Sequence, residues 1–63
     1  MSKILKLPEV MKVTALSRSS IYAFIKTKKF PKPISLGIRA VGWLEADVQA
    51  WIANRIDASR EAL

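Results

Sequence analysis

Apolar residues recur at helical spacing near the start of the chain. Leu7, Val10, Met11 and Thr14 occupy positions i, i+3, i+4 and i+7, which predicts the buried side of a helix of about two turns. Pro8 suits the first helical position, because an N–H there would have no helical partner. We therefore predict a first helix that starts at Pro8 and ends near Thr14.

A second helix is predicted from Arg18 to about Lys28. Ser17 is its expected N-cap, with a hydroxyl that accepts the N–H of Ser19 or Ser20. Leu16 and Ile21 hold the two positions of a hydrophobic staple. The predicted buried side consists of Leu16, Ile21 and Ile25, with Phe24 at its edge. The predicted exposed side consists of Arg18, Ser19, Tyr22, Ala23 and Lys26.

The connection between these helices is very short, with only Thr14, Ala15 and Leu16 in it. Two short helices joined by about three residues form a helix-turn-helix. Ala15 stands where glycine often fills the turn, and an alanine at positive φ there costs about 1 kcal/mol.

The next segment changes from helical to extended. Phe30-Pro31-Lys32-Pro33 cannot be helical, because each proline also restricts the residue before it. Residues 34–43 then predict a β-hairpin that pairs Ile34 with Trp43 and Leu36 with Val41. This register places all four apolar side chains on one face.

The remaining segment predicts a third helix, from Leu44 to about Ile56, followed by fraying at the C-terminus. Its apolar stripe comprises Leu44, Val48, Trp51, Ile52 and Ile56. The expected fold is therefore α+β and mainly α. It is a single domain over residues 1–63, with a helix-turn-helix, a two-stranded wing and a packing helix.

Charge is distributed unevenly along the chain. Residues 1–43 contain nine Lys or Arg and one acid, a formal charge of +8, whereas residues 44–63 contain two Arg and four acids, a charge of −2. Such a separation is typical of a polyanion-binding surface, although a solubilising surface is the alternative.

We expect a cytoplasmic location, because no apolar run or leader-like segment indicates a membrane or export.

Candidate DNA contacts lie on the predicted second helix. Arg18, Ser19, Tyr22 and Lys26 are candidates for base or phosphate contacts, and the N–H groups of Arg18 to Ser20 suit a phosphate. An ordinary solvated helix face is the alternative. The position directly after a three-residue turn favours the DNA-binding interpretation.

Further cations follow that helix. Lys26, Lys28, Lys29 and Lys32 put four positive charges within seven residues, which favours phosphate neutralisation. The same lysines also complement the dipole at a helix C-terminus. A four-residue loop, Gly37 to Ala40, is expected to present Arg39 at the hairpin tip. There Arg39 either contacts a minor groove or a phosphate, or serves solubility alone.

The chemistry of catalysis is missing from the sequence. Cysteine and histidine are absent, and Glu45 and Asp47, at i and i+2 on a helix, point to different sides and cannot share a metal or a proton. Trp43 and Trp51 are assigned to the core by their apolar spacing, although stacking against bases is the alternative. We expect no enzyme activity, cofactor, metal or small-molecule ligand.

Several motifs together resemble one family. They are Leu7-Pro8-Glu9-Val10, Leu16-Ser17-Arg18-Ser19-Ser20-Ile21-Tyr22, Phe30-Pro31-Lys32-Pro33-Ile34, Leu36-Gly37, Arg39-Ala40-Val41-Gly42-Trp43 and the pair Val48 and Trp51. In these the chain resembles the AlpA family of short phage and prophage regulators, related in fold to winged MerR-like domains and small excisionases. Two glycines usual in the family are replaced by Ala15 and Lys29.

The resemblance implies a DNA-binding transcription regulator of a mobile element, often acting on integrase or excision genes. A recombination directionality factor that binds and bends attachment-site DNA is the alternative with the same fold. An adaptor whose basic face binds an acidic protein is a third hypothesis. The expected partners are double-stranded DNA, a second copy on tandem or inverted sites, and RNA polymerase or an integrase.

Overall fold

Three helices and three strands follow one another along the chain in the computed structural model, which describes residues 3–62. Their order is β1 (Ile4–Leu5), α1 (Leu7–Thr14), α2 (Arg18–Lys26), β2 (Ile34–Gly37), β3 (Ala40–Leu44) and α3 (Glu45–Ala62). This α+β architecture fits a small winged helix-turn-helix fold, as the sequence predicts.

The turn between α1 and α2 has the predicted geometry. Ala15 adopts the left-handed conformation at φ 59° and ends α1. The Thr14 hydroxyl donates to the Val10 carbonyl oxygen at 2.7 Å and accepts the N–H of Leu16 at 3.3 Å. One threonine side chain therefore joins the last turn of α1 to the connection. Pro8 occupies the second position of α1 rather than the first, because the helix begins at Leu7.

Helix α2 ends earlier than predicted, at Lys26 instead of Lys28. Thr27 is the C-cap, and Lys28 turns to φ 62°. The N–H of Lys28 donates to Ile25 O at 3.1 Å, and the N–H of Lys29 donates to Phe24 O at 2.7 Å. These two bonds form a Schellman motif, which stops the helix by using its last free carbonyls.

The wing belongs to a larger sheet than the predicted two-stranded hairpin. All pairs are antiparallel and the strand order is β1-β3-β2. Strand β1, which the sequence pattern did not predict, pairs Ile4 with Leu44 and Leu5 with Trp43. It has only two residues, too few to show an alternating pattern.

The predicted hairpin register is wrong. Ile34 pairs with Gly42, and Ser35 pairs with Val41. A bulge between Ser35 and Gly37 then shifts the ladder, so that Gly37 pairs with Ala40. The connecting loop consequently has two residues, Ile38 and Arg39, instead of the four predicted.

This register separates apolar residues that we expected on one face. Trp43 is fully buried with Leu5 on the core side of the sheet, whereas Ile34 lies on the opposite side with Gly42. A Cβ built on Gly42 would lie 2.5 Å from Ile4 Cγ2 and 3.1 Å from Leu36 Cδ1. Ile4 and Leu36 therefore cover the outer face directly above the glycine.

The core draws on nearly every part of the chain. Its buried residues are Leu5, Val10, Ile21, Phe30, Trp43 and Val48. They come from β1, α1, α2, the segment after α2, β3 and α3 in turn. This arrangement makes the orientation of α2 depend on contacts that are distant in sequence.

Helix α3 differs from its prediction at both ends, since it starts at Glu45 and continues to Ala62. Val48 is fully buried, and Trp51 is half-buried and packs against the core as predicted. Ile56 is exposed, so its assignment to the apolar stripe is wrong. The last few residues, which we predicted to fray after Ile56, instead continue the helix as far as Ala62. Leu63 lies outside the described residues. None of the described helices combines the length and apolarity that a membrane crossing requires.

Candidate nucleic-acid interface

The outward side of α2 carries the residue types that were predicted to face DNA. Arg18, Ser19 and Lys26 are exposed, and the side chain of Tyr22 retains 44% of its accessible surface. Ile21 on the opposite side is fully buried. Helix α2 is thus fixed by its apolar side, which leaves the polar side accessible.

Ser20 differs from the other candidates on α2, because the N-cap uses both of its polar groups. Its N–H donates to Ser17 Oγ at 3.1 Å, and its hydroxyl lies 3.0 Å from the same oxygen. Ser20 is also half-buried. Of the three amides that we expected to be free for a phosphate, the cap therefore leaves those of Arg18 and Ser19.

The basic segment, residues 28–32, follows α2 and is firmly held. All three of its lysines, Lys28, Lys29 and Lys32, are exposed. Between them, Phe30 inserts into the core and is only 5% exposed. The Schellman bonds hold the start of the segment, so its lysines project from a backbone of defined path.

Both tryptophans donate hydrogen bonds to this basic segment. Trp43 Nε1 donates to Pro31 O at 3.0 Å, and Trp51 Nε1 donates to Lys29 O at 2.6 Å. The segment cannot join a sheet ladder readily, because Pro31 has no N–H to donate. Two indole N–H groups from β3 and α3 instead bind its carbonyls.

This role of the tryptophans was not predicted from the sequence, although two features of the sequence point to it. A partly buried indole N–H usually finds an acceptor. The Phe-Pro-Lys-Pro segment offers carbonyls without the N–H groups of a regular ladder. These signals indicate donors and acceptors, but they do not pair a particular tryptophan with a particular carbonyl.

An aromatic cluster that includes Phe30 of this segment packs beside it. The ring of Phe30 meets Trp51 edge-on, with centroids 5.0 Å apart, and Phe24 lies 6.2 Å from Trp51. The Arg55 guanidinium lies 5.0 Å from the Trp51 ring centroid and 5.2 Å from that of Phe24. At these distances Arg55 makes cation–π contacts with the cluster, and we do not count it among the candidate DNA contacts.

An open cleft of about 420 Å³ lies beside the basic segment. Lys28 and Lys29 line one part of it, and Asp47 and Asn54 of α3 line another. The carboxylate of Asp47 lowers the positive potential there. Lys32 does not line this cleft.

Arg39 occupies the hairpin tip, as predicted. It adopts φ 62° and is exposed. Ile38, the other residue of the tip, is 96% exposed. Among the side chains that the structure describes, those of residues 3–60, no three carboxylate, imidazole or thiol groups come together in a way that could hold a metal ion.

Comparison with known proteins places the chain in a family. The family model described as "Prophage CP4-57 regulatory protein (AlpA)" matches residues 3–56. The chain belongs to the AlpA family. This confirms the resemblance found in the sequence. The AlpA match includes all nine candidate positions from Arg18 to Arg39 and ends within α3.

Two other proteins are similar to this chain over most of its length. An uncharacterized protein, ORF88, of Enterobacteria phage P4 is 48% identical over 86% of the chain, which spans 61% of that relative's length. The DNA-binding transcriptional activator AlpA of Escherichia coli (strain K12) is 37% identical over 84% of the chain and 84% of its own length. No solved structure gives a significant match.

Proposed function

We propose that this AlpA-family protein binds double-stranded DNA sequence-specifically and regulates genes of a phage or other mobile element, with integrase or excision genes as its targets. One observation carries the proposal: the exposed cations of α2 and of the basic segment border a surface whose backbone is fixed by Ser17, Trp43 and Trp51. The name of the E. coli relative, a DNA-binding transcriptional activator, supports the same function.

In this proposal α2 reads bases in the major groove. Arg18 lies at the start of the helix, and a guanidinium in that place can donate two hydrogen bonds to one guanine. Tyr22 follows one turn later on the same side, and Lys26 lies one turn beyond it. Ser19 and the free amides of the first turn bind a phosphate, while Ser20 positions them through the cap.

The basic segment has a different role, because its lysines neutralise phosphates. Lys28, Lys29 and Lys32 contact the duplex backbone beside α2 without selecting a sequence. Since the segment is already ordered by Phe30 and the two tryptophans, less conformational entropy is lost on binding. Arg39 adds a contact from the hairpin to a phosphate or to the minor groove.

Useful specificity requires more than one copy on the DNA. One reading helix contacts only a few base pairs, and half-sites are normally read by two helices one helical turn apart. We therefore propose binding to tandem or inverted half-sites, with RNA polymerase or an integrase as the protein that responds.

Selection from a random pool of duplexes tests this function directly. The protein should enrich a defined sequence of repeated half-sites, and affinity for it should decrease with salt, with a log–log slope near −0.9 per phosphate contacted. Failure to enrich any sequence would contradict sequence-specific binding. A flat salt response would contradict binding through the phosphates.

A further inference from the structure

Ile38 is the most exposed large apolar residue that the structure describes. Its side chain keeps 96% of its accessible surface, whereas the next such residue, Val13, keeps 47%. Ile38 lies at the hairpin tip, where β2 turns into β3. It therefore contributes almost no apolar packing to the fold.

The tip conformation gives no structural reason for this isoleucine. Two-residue hairpin loops favour Asn, Asp and Gly, whose backbones adopt positive φ easily. Here the loop is Ile38 and Arg39, and Arg39 adopts φ 62°, which costs roughly 1 kcal/mol for a residue with a Cβ. A bulge between Ser35 and Gly37 precedes this tip. Residues with a Cβ that adopt the left-handed conformation cluster at ligand-binding sites.

The two tip residues combine an apolar wedge with a cation. Minor-groove proteins use such a pair: an arginine is attracted by the potential of the groove, and an Ile, Leu or Phe side chain inserts beside a base step. The positive charge of residues 1–43 favours a nucleic acid over an acidic protein as the partner of this tip.

We propose that Ile38 inserts into the minor groove next to the bases read by α2 and bends the duplex, while Arg39 holds the groove or its phosphates. The inference rests on the proposed DNA-binding function and adds a specific role for a residue outside its nine candidate positions. Partial unstacking is easiest at pyrimidine–purine steps. Ile38 therefore selects TA or CA/TG steps without any hydrogen bond to a base.

The test uses duplexes enriched by the wild-type protein from a random pool. Energy transfer between dyes on the duplex ends measures bending, and 2-aminopurine at the step next to the half-site measures unstacking. Wild-type protein should bend the selected duplex and increase 2-aminopurine fluorescence. Ile38→Ser should abolish both signals and weaken binding to this duplex about tenfold, with affinity for random DNA unchanged within about twofold.

Two further variants control the interpretation. Ile56→Ser makes the same chemical change at an exposed position of α3, 46% exposed, and should leave bending and affinity at the wild-type level. Ile38→Leu retains an apolar wedge and should retain the bend. Because Ile38 is almost fully exposed, its replacement should not change the unfolding midpoint.

Each contrary result has a distinct meaning. If Ile38→Ser binds, bends and unstacks the selected duplex like the wild type, the insertion of Ile38 is contradicted and the proposed function stands. If the variant changes only the oligomeric state measured by sedimentation, the tip contacts another protein molecule instead, and the insertion of Ile38 is again contradicted. If the wild type enriches no duplex, the proposed function itself fails, and the wedge fails with it.

Discussion

Trp51 of α3 donates its indole N–H to the carbonyl oxygen of Lys29, with the two atoms 2.6 Å apart. The bond joins residues 22 positions apart, and it lies next to the edge-on contact of the Trp51 ring with Phe30. Helix α3 therefore contributes to positioning the basic segment, although none of its own residues is a candidate DNA contact.

Trp51→Phe tests this positioning role, because it keeps a ring in the aromatic cluster and removes the N–H. We expect a loss of about 1 kcal/mol in the free energy of unfolding. Affinity should decrease several-fold for selected and random duplexes alike, because the lysines lose their fixed backbone. Denaturant unfolding and DNA titration measure the two effects. Unchanged affinity in a folded variant would contradict the role.

Trp43 provides the comparison, since it is fully buried and its N–H reaches Pro31 O. Trp43→Ala should cost about 3–5 kcal/mol, which is enough to unfold a domain of this size. Circular dichroism and thermal unfolding measure that loss. A stable Trp43→Ala protein that no longer binds DNA would instead favour stacking of this ring against bases.

Ala15 and Lys28 form a matched pair, because both end a helix in the left-handed conformation, at φ 59° and 62°. Ala15→Gly and Lys28→Gly should each raise the free energy of unfolding by up to about 1 kcal/mol. Only Lys28→Gly should weaken DNA binding and reduce the salt slope by about 1. If Ala15→Gly reduced the affinity for DNA as strongly, loss of the lysine charge would not explain the weaker binding of Lys28→Gly.

Gly42 leaves no room for a side chain beneath Ile4 and Leu36. Gly42→Ala should destabilise the protein by roughly 1–3 kcal/mol, because the new methyl group overlaps Ile4 Cγ2 and approaches Leu5 O. The double variant Gly42→Ala with Ile4→Ala should recover part of this loss relative to Ile4→Ala alone. If chemical denaturation showed that the two substitutions lower the free energy of unfolding additively, the overlap with Ile4 would not be the cause of the destabilisation.

The helix-turn-helix was predictable because its signals are local. Ser17 caps the helix that it precedes, and Ala15 lies within the connection whose geometry it completes. The hairpin register was not predictable in the same way, since the alternation of apolar residues does not reveal the bulge between Ser35 and Gly37 that shifts the ladder. The bond from Trp51 to Lys29 depends on the placement of α3, which no local pattern encodes.

The candidate site was predictable to a similar extent. Exposure of Arg18, Tyr22 and Lys26 followed from helical spacing against Ile21, and the structure confirms it. The engagement of Ser20 in the cap was only partly foreseen, because Ser17 could have bonded either Ser19 or Ser20. Their roles in DNA binding remain predictions, since exposure alone does not identify a ligand.

Comparison of one arginine with one lysine on the proposed surface tests the central claim most directly. The measurement is a titration of Arg18→Ala and Lys32→Ala against a selected and a scrambled duplex at several salt concentrations. Arg60→Ala on α3 and Lys12→Ala on α1, both exposed, serve as matched controls.

Arg18→Ala should lose about 1–3 kcal/mol on the selected duplex and relax the preference at one or two base pairs. Lys32→Ala should weaken binding to both duplexes equally, with a salt slope smaller by about 1. The controls should bind like the wild type. The account is contradicted if Arg18→Ala weakens both duplexes equally while Lys32→Ala changes the base preference.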